Sequence, residues 1–380
     1  MDLYRVAIRP LLFRLDAETS HRATLRLSGA LAHSRAALGA LERRMSVRDP
    51  RLRTRVAGID FPGPVGLAAG FDKNAEAVAV TSRIGFGFVE VGSVSEHPSA
   101  GNAARPRIWR LPADEALRVY YGCPNDGAEI VAARLRRQRL PVPLGVNVVE
   151  TNTGTLATAA EAADEIASAI GRFVGLADYL VLNLSCPNMP QGGCGLFADM
   201  SALRLLLQCV ARHLALPPVF LKLTPPGDPE SPRVIDPILE AVDPFGFVKG
   251  FILNIPNRQP RDTLRTPAAE LASMRGGITG PSLRTATNSA VRAWYTRIDH
   301  RRHALIGTGG ICSAADAYET IRCGASLVQL YTALVYRGPA LVARINEGLA
   351  RLLARDGLRS IAEAIGTDDG GSVRRAAMGA

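Results

Sequence analysis

Lysine is nearly missing from this chain. Its 380 residues include three, Lys73, Lys222 and Lys249, so arginine carries almost all of a net charge of +10. Arginine enrichment on that scale reflects genome composition. No basic run alternates with aromatic residues, which argues against nucleic acid as a partner. A positive surface suits an anionic substrate or an anionic membrane face. The six cysteines are scattered and form no CxxC pair. That argues against a zinc site or a disulfide scaffold and for a reducing compartment. No apolar run reaches the ~18 residues that a spanning helix needs. The first residues lack the apolar stretch and small-residue cleavage site of a secretory signal. No internal repeat or low-complexity tract stands out.

What is present is a chain 47% hydrophobic, long enough to bury a large core. Its length fits two domains or one α/β barrel. Residues 1–50 stand apart. Segments 4–15 and 20–41 are helix-like, with Leu, Val and Phe interleaved with Arg, and Asp16 or Thr19-Ser20 is placed to cap the second. Such a pair can lie on a membrane surface or pack as a lid on the main domain. From residue 60 onward, short apolar runs alternate with Ala/Leu/Arg-rich segments of helical period. The runs are 64–68, 88–92, 144–148, 179–184, 219–223, 250–255, 304–307 and 326–331. Eight such units predict a (β/α)8 barrel spanning 51–366, with its active site at the C-terminal ends of the strands. Segments 96–127 and 256–282, rich in Pro, Gly, Arg and Asn, then read as loops or lids over that end, and 367–380 as a loose tail.

The polar residues at the strand ends supply the chemistry. Strand one runs into Ala69-Gly70-Phe71-Asp72-Lys73 and strand two into Gly92-Ser93. Strand three presents Asn147, strand five Lys222 and strand six Asn254. Strand four runs into Asn183-Leu184-Ser185-Cys186-Pro187-Asn188, where two carboxamides flank a thiol. A carboxamide donates and accepts hydrogen bonds at once, so Asn183 and Asn188 suit a ligand carrying both C=O and N–H groups. A thiol can take a proton or attack carbon. The alternative is a loop whose Asn and Pro serve only the turn. Two of three lysines at strand ends, in a chain that otherwise uses Arg, point to function, although a buried Lys also serves in structural ion pairs. Strand seven opens into Gly307-Thr308-Gly309-Gly310, and strand eight ends in Tyr331-Thr332. That is the place of the barrel phosphate site.

Together these segments resemble dihydroorotate dehydrogenase, the FMN enzyme of pyrimidine biosynthesis. The matching stretches run from about residue 3 to about 366. They include Gly66-Leu-Ala-Ala-Gly-Phe-Asp-Lys73, Gly85-Phe-Gly87, Glu90-Val-Gly-Ser93, Arg105-Pro-Arg107, Gly145-Val-Asn147, the Asn183–Asn188 stretch, Gly276-Gly277 with Gly280, Gly307-Thr-Gly-Gly310 and Ala325-Ser-Leu-Val-Gln-Leu-Tyr-Thr332. The N-terminal helix pair is similar to that of the membrane-associated, quinone-reducing class.

The resemblance implies FMN across the barrel mouth. Its phosphate would be held by Gly309, Gly310, Tyr331 and Thr332, and its ring lined by Ala69, Gly70, Ser93, Asn147, Asn183 and Gly280. Lys222 would sit at the edge where reduced flavin is negative. Cys186 would be the base, a place where the quinone class usually has Ser and the soluble class Cys. A thiolate forms more readily near neutral pH if a cation lowers its pKa. Lys73, Asn183, Asn188 and Asn254 would bind the substrate. Arg110 and Tyr331 would border a quinone path, and the chain would be a peripheral protein on the cytoplasmic face of a membrane.

The chain also departs from the quinone class. Where that class has Asn-Arg-x-Gly-Phe-Asn, this chain reads Val119-Tyr120-Tyr121-Gly122-Cys123-Pro124-Asn125. Val119 cannot replace a carboxamide that binds substrate, and a hydrogen bond left unmade there costs about 1–3 kcal/mol. A Gly-Lys pair becomes Val149-Glu150, and a Thr-Asn-Thr becomes Leu253-Asn254-Ile255. Met189-Pro-Gln-Gly-Gly193 stands where that class has Gly-Leu-Arg. The flavin half is kept and the substrate half altered, as in a divergent paralogue. The expected activity is flavin-dependent interconversion of C–C and C=C bonds beside a carbonyl, on dihydroorotate or a related ring. Two alternatives are a flavin-binding scaffold without turnover and a sugar-phosphate barrel without flavin. The retained Lys73, Cys186 and Lys222 argue against the scaffold.

Overall fold

The computed structural model describes residues 3–155, 157–184, 196–224, 232–254 and 264–369. Eight parallel strands close into a barrel in sequence order. They are β1 (Val65–Leu67), β2 (Phe88–Val94), β3 (Leu144–Val148), β4 (Tyr179–Asn183), β5 (Val219–Leu223), β6 (Val248–Asn254), β7 (Ala304–Thr308) and β8 (Leu327–Leu330). Each predicted apolar run supplies one of them.

Side chains alternate between the two faces of a strand. Leu180 and Leu182 of β4 therefore join the core packed under the outer helices, while Tyr179 and Val181 join the core inside the barrel. The outer helices carry their own signals. Ala159–Phe173 begins with a capping box between Thr158 and Glu161 and buries Ala162, Ile166, Ile170 and Phe173. Met200–Val210 is capped by Asp199, whose carboxylate accepts from Ser201 and Ala202 N–H.

The floor of the barrel is sealed by an antiparallel hairpin, Thr54–Val56 with Ile59–Phe61. Its turn residues Ala57 and Gly58 both have positive φ, the two-residue turn that matches strand twist. Val56 and Phe61 pack there with Phe88, Tyr179, Phe220, Ile252, Ile306 and Leu327. Two strand glycines make room for the rings. A Cβ on Gly66 would lie 2.2 Å from Phe88, and one on Gly145 2.2 Å from Tyr179.

Two expectations change. The segments read as loops, 96–127 and 256–282, contribute a three-stranded antiparallel sheet of Ile108–Leu111, Ala116–Val119 and Gly277–Thr279. Its strands are only three or four residues long, and one pairs with a segment some 158 residues away, so no local pattern reveals it. The second N-terminal helix is two: α2 (Ala17–Ala32) and α3 (Arg35–Met45), after the short α1 (Arg9–Arg14). Asp16 caps α2 by accepting from Thr19 N–H at 2.9 Å. Ser34 caps α3 by accepting from Ala37 N–H at 3.2 Å, and that cap divides the predicted single helix. Among the described residues no helix is long and apolar enough to cross a membrane.

Candidate active site

The positions that fill the floor with apolar side chains recur two residues later as polar ones. Phe88 is followed by Glu90, Tyr179 and Val181 by Asn183, Phe220 by Lys222, Ile252 by Asn254, Ile306 by Thr308 and Leu327 by Gln329. Each second member sits nearer the C-terminal end of its strand, so the upper half of the barrel is a ring of polar groups.

A buried hydrogen-bond chain ties half of that ring together. The Asn183 Nδ2 donates to Ser93 Oγ at 2.7 Å, and Ser93 Oγ donates to Asn147 Oδ1 at 2.5 Å. Asn147 Nδ2 donates to Glu90 Oε1 at 2.9 Å. The other oxygen of Glu90 accepts from Gln329 Nε2 at 2.6 Å and from Tyr179 OH at 3.3 Å. Gln329 in turn accepts from Thr308 Oγ1 at 2.9 Å. Glu90 is fully buried, and these donors are what make a carboxylate tolerable there. Burial first, and the neighbouring Glu90 second, push the Tyr179 phenol well above its ordinary pKa, so it stays protonated and a donor.

Beside this chain lies a cavity of about 140 Å³. Lys222 and Asn254 line one side; Gly309, Gly310, Tyr331 and Thr332 line another. Ala69 and Gly280 complete the set of assigned residues on its wall. Lys222 is 5% exposed, and among the described residues its ammonium has no hydrogen-bond or ion-pair partner. A buried cation in that state calls for an anionic or electron-rich ligand in the cavity. Gly309 and Gly310 have φ of 115° and 79°, so the backbone turns in a way open to glycine but strained for other residues. A Cβ on Gly310 would lie 2.4 Å from the Arg284 backbone. Thr332 Oγ1 lies 2.8 Å from Thr279 Oγ1, which joins the small sheet to this wall. A cation at one side and a glycine turn at the other fit a flavin carrying a phosphate.

Lys73 and Gly70 stand next to that wall. Gly70 N–H donates to Gly92 O at 2.7 Å, and its carbonyl accepts from Lys73 Nζ at 2.6 Å. The Lys73 ammonium also lies 4.4 Å from the centre of the Tyr121 ring, and the Arg107 guanidinium lies 5.2 Å from it. Asp72 holds the loop after Gly70: its carboxylate accepts from Glu76 and Ala77 N–H at 2.9 and 2.7 Å. The helix α2 reaches this region through buried Glu18, which accepts from Arg107 at 2.5 Å. Burial pulls the Glu18 carboxyl up, but the hydrogen bonds and charge of Arg107 outweigh it and leave the carboxyl below its usual range. His21 of α2 packs on Phe71 at 5.3 Å and faces Tyr331 at 6.3 Å. Burial, reinforced by the Lys73 charge, pushes its pKa down to about 3. Arg110 stacks on Phe13 at 4.5 Å and donates to Leu15 O at 2.8 Å, so it ties α1 to the small sheet.

The structure therefore gathers Ala69, Lys222, Asn254, Gly280, Gly309, Gly310, Tyr331 and Thr332 around one cavity. It joins Ser93, Asn147 and Asn183 by direct hydrogen bonds, with Asn183 in register beside Lys222. Cys186, Asn188, Ile255 and the 189–193 loop lie outside the described residues. Val119 lies in the small sheet, opposite Gly277 and Ile108, and packs with Leu117, Tyr121 and Tyr336. Sequence reasoning passed over Glu90, Gln329, Thr308, Tyr179, Tyr121 and His21 as site residues. The available signal was an isolated polar residue inside an apolar strand, Glu90 in Phe-Val-Glu-Val and Gln329 in Leu-Val-Gln-Leu.

Comparison with known proteins places the chain among relatives along most of its length. A family profile described as dihydroorotate dehydrogenase matches residues 51–353. The dihydroorotate dehydrogenase (quinone) of Acidithiobacillus ferrooxidans is 38% identical over 371 residues, which is 95% of this chain and 98% of that one. The protein of the same name from Halobacterium salinarum is 39% identical over 370 residues, 95% of this chain and 99% of its own. The crystal structure of the Eimeria tenella enzyme in complex with ferulenol superposes with a TM-score of 0.80 at 30% identity, covering 93% of this chain and 96% of that one.

Proposed function

The chain belongs to the dihydroorotate dehydrogenase family, and from that premise we propose that the cavity at its barrel mouth is an FMN site where dihydroorotate is oxidised and a quinone reduced. The activity is that of a flavin-dependent oxidoreductase acting on a CH–CH bond of dihydroorotate. FMN, when bound, supplies a two-electron acceptor for the substrate and a donor for the quinone.

The residues of the chain do the rest. Gly309, Gly310 and Thr332 cradle the phosphate, with Tyr331 beside them. Ala69, Gly70 and Gly280 leave room for the flavin, and Ser93, Asn147 and Asn183 present an oriented donor–acceptor row fixed from below by Glu90. Lys222 faces the edge that gains negative charge; in a site closed to water a fixed cation is worth far more than in solution. Lys73, held by the Gly70 carbonyl and the Tyr121 ring, presents its ammonium to the substrate carboxylate. Asn183, Asn188 and Asn254 bond the ring amides, and Cys186 takes the proton from the carbon next to the hydride donor. The observation that carries the reading is buried Lys222, without a side-chain partner among the described residues, in one cavity with a glycine turn. Purified protein assayed for orotate formation with a soluble quinone tests it. Turnover dependent on quinone supports the reading, and orotate formation that ignores added quinone removes its second half.

Residues 1–50 are proposed as the membrane-contacting segment, 51–366 as the FMN barrel and 367–380 as a tail. Seven of the nine large apolar side chains most exposed among the described residues lie in the first 31 positions: Leu3, Val6, Ile8, Leu11, Leu15, Leu27 and Leu31. Arg5, Arg14, Arg22 and Arg26 are exposed among them. An apolar face rimmed with Arg suits the interface of an anionic bilayer, here the cytoplasmic face of the membrane that holds the quinone. Flotation with anionic vesicles checks this: the full chain should float, and a Leu11→Asp, Leu27→Asp variant should stay at the bottom.

A further inference from the structure

The barrel floor carries a second cleft, about 610 Å³, outside the hairpin that seals it. That volume is in the range of small-molecule sites. Its walls are the hairpin, the N-terminal edges of β6 and β7, and the loop leading into β7. Arg55, Lys249, His300, Arg301, Arg302 and His303 all line it, and none of its lining residues is acidic. Arg302 is committed to Asp243, and Arg55 lies 3.8 Å from Asp60. Lys249 and Arg301 have no ion-pair or hydrogen-bond partner for their side chains among the described residues. In a chain with only three lysines, this is the one that the redox site does not use.

Two further features shape the cleft. His303 is 8% exposed in the cleft wall, its ring 5.4 Å from that of Phe251, and neither ring nitrogen has a hydrogen-bond partner among the described residues. Both ring nitrogens are shielded by protein, so His303 packs the wall and leaves ligand contact to the cations beside it. The Tyr295 and His300 rings lie 4.2 Å apart between centres, tilted 39° to each other, and put aromatic surface beside the cations of the cleft. Arginine forks match phosphate oxygens, and an aromatic wall suits a planar ring.

We propose that this floor cleft binds a soluble organic phosphate of nucleotide size, held by Lys249 and Arg301 and separate from the redox site. Lys249 and Asn254 are five residues apart on β6, about 16 Å at 3.3 Å per residue. The helices proposed to meet the membrane pack near Phe71 and Tyr331, at the opposite end of the strands, so the floor cleft opens to solvent rather than to lipid.

Calorimetric titration of the flavin-loaded enzyme with ATP and, separately, inorganic phosphate tests the proposal. The bound flavin keeps the strand-seven and strand-eight phosphate site filled. ATP should bind saturably and at least tenfold more tightly than inorganic phosphate. Each lost cation should weaken ATP by roughly tenfold, the worth of one charge-assisted contact. The double variant Lys249→Ala, Arg301→Ala should therefore lose about a hundredfold, and Lys249→Arg should retain binding. Neither side chain has an ion-pair or hydrogen-bond partner among the described residues, so melting temperature and dihydroorotate turnover should stay unchanged in the single, double and Lys249→Arg variants. Absence of saturable ATP binding, equal affinity for ATP and phosphate, or an equal loss in an Arg136→Ala, Arg137→Ala control would each overturn the proposal.

Discussion

Along β5, Phe220 and Lys222 both point into the barrel, one into its floor and one into its mouth. The same pairing recurs on β6 with Ile252 and Asn254, on β7 with Ile306 and Thr308 and on β8 with Leu327 and Gln329. The floor is an apolar plug of aromatic rings, with Phe88–Tyr179 and Tyr179–Phe220 centres 6.3 and 5.6 Å apart. The mouth is a buried network of amides and hydroxyls on one carboxylate, with Lys222 beside it and without a side-chain partner among the described residues. One step of the strand period separates them, so the sequence invests stability at one layer and chemistry at the next. Substitutions two residues apart on one strand should therefore fail in different ways.

The largest effect is expected on the floor. Phe220→Ala should destabilise the fold by about 3–5 kcal/mol through the cavity it leaves, read as a shifted urea midpoint, while turnover per folded molecule stays near normal. Its partner in the comparison, Lys222→Ala, should do the reverse. Turnover should fall about 10²–10³-fold, the scale for removing one preorganised electrostatic group, with little change in the urea midpoint. If Lys222→Ala unfolds the protein and leaves turnover intact, the division between layers is wrong. Glu90→Gln lies between the two. It keeps the shape but makes the shared acceptor neutral and adds a donor facing Asn147, Gln329 and Tyr179. A loss of about 1.5–3 kcal/mol in stability is expected, together with weaker flavin retention on a desalting column.

A last effect, confined to acid pH, is in the pH dependence of stability on the mouth side. The pKa of His21 is held down to about 3 against 6.5 when unfolded, by burial and then by Lys73. Between those values the unfolded chain binds a proton that the folded chain refuses, so stability falls as pH drops below 6.5. Above 6.5 both states are neutral at this position and the term vanishes. His21→Phe should flatten that slope, measured as urea midpoints at a series of pH values. An unchanged slope would show that His21 does not carry it.

Much of this was legible in the chain. All eight barrel strands follow from apolar runs bounded by Gly, Pro and polar residues, because a parallel strand buried on both faces needs no partner pattern to be seen. Lys222, Gly309, Gly310 and Tyr331 were legible for the same reason: they lie at or just beyond the ends of those runs. What the sequence hid depends on distant partners. Glu90 takes hydrogen bonds from Asn147, Tyr179 and Gln329, up to 239 positions away, so inside its own strand it reads only as an anomaly. The small sheet over the mouth is built from strands too short to show a period. Tyr121 meets Lys73 across 48 positions of sequence, a contact no local pattern announces.

The central claim is that the mouth cavity, with Lys222 on one wall and the glycine turn on another, is where dihydroorotate meets flavin. Anaerobic titration of the purified flavin-loaded protein with dihydroorotate, followed at the visible flavin absorbance, tests it most directly. Stoichiometric bleaching in the native protein, and bleaching slowed roughly 10²-fold or more in Lys222→Ala, is the predicted result. A native protein whose flavin is not bleached by dihydroorotate would contradict the claim, and bleaching by a related ring instead would move the substrate while leaving the cavity as the site.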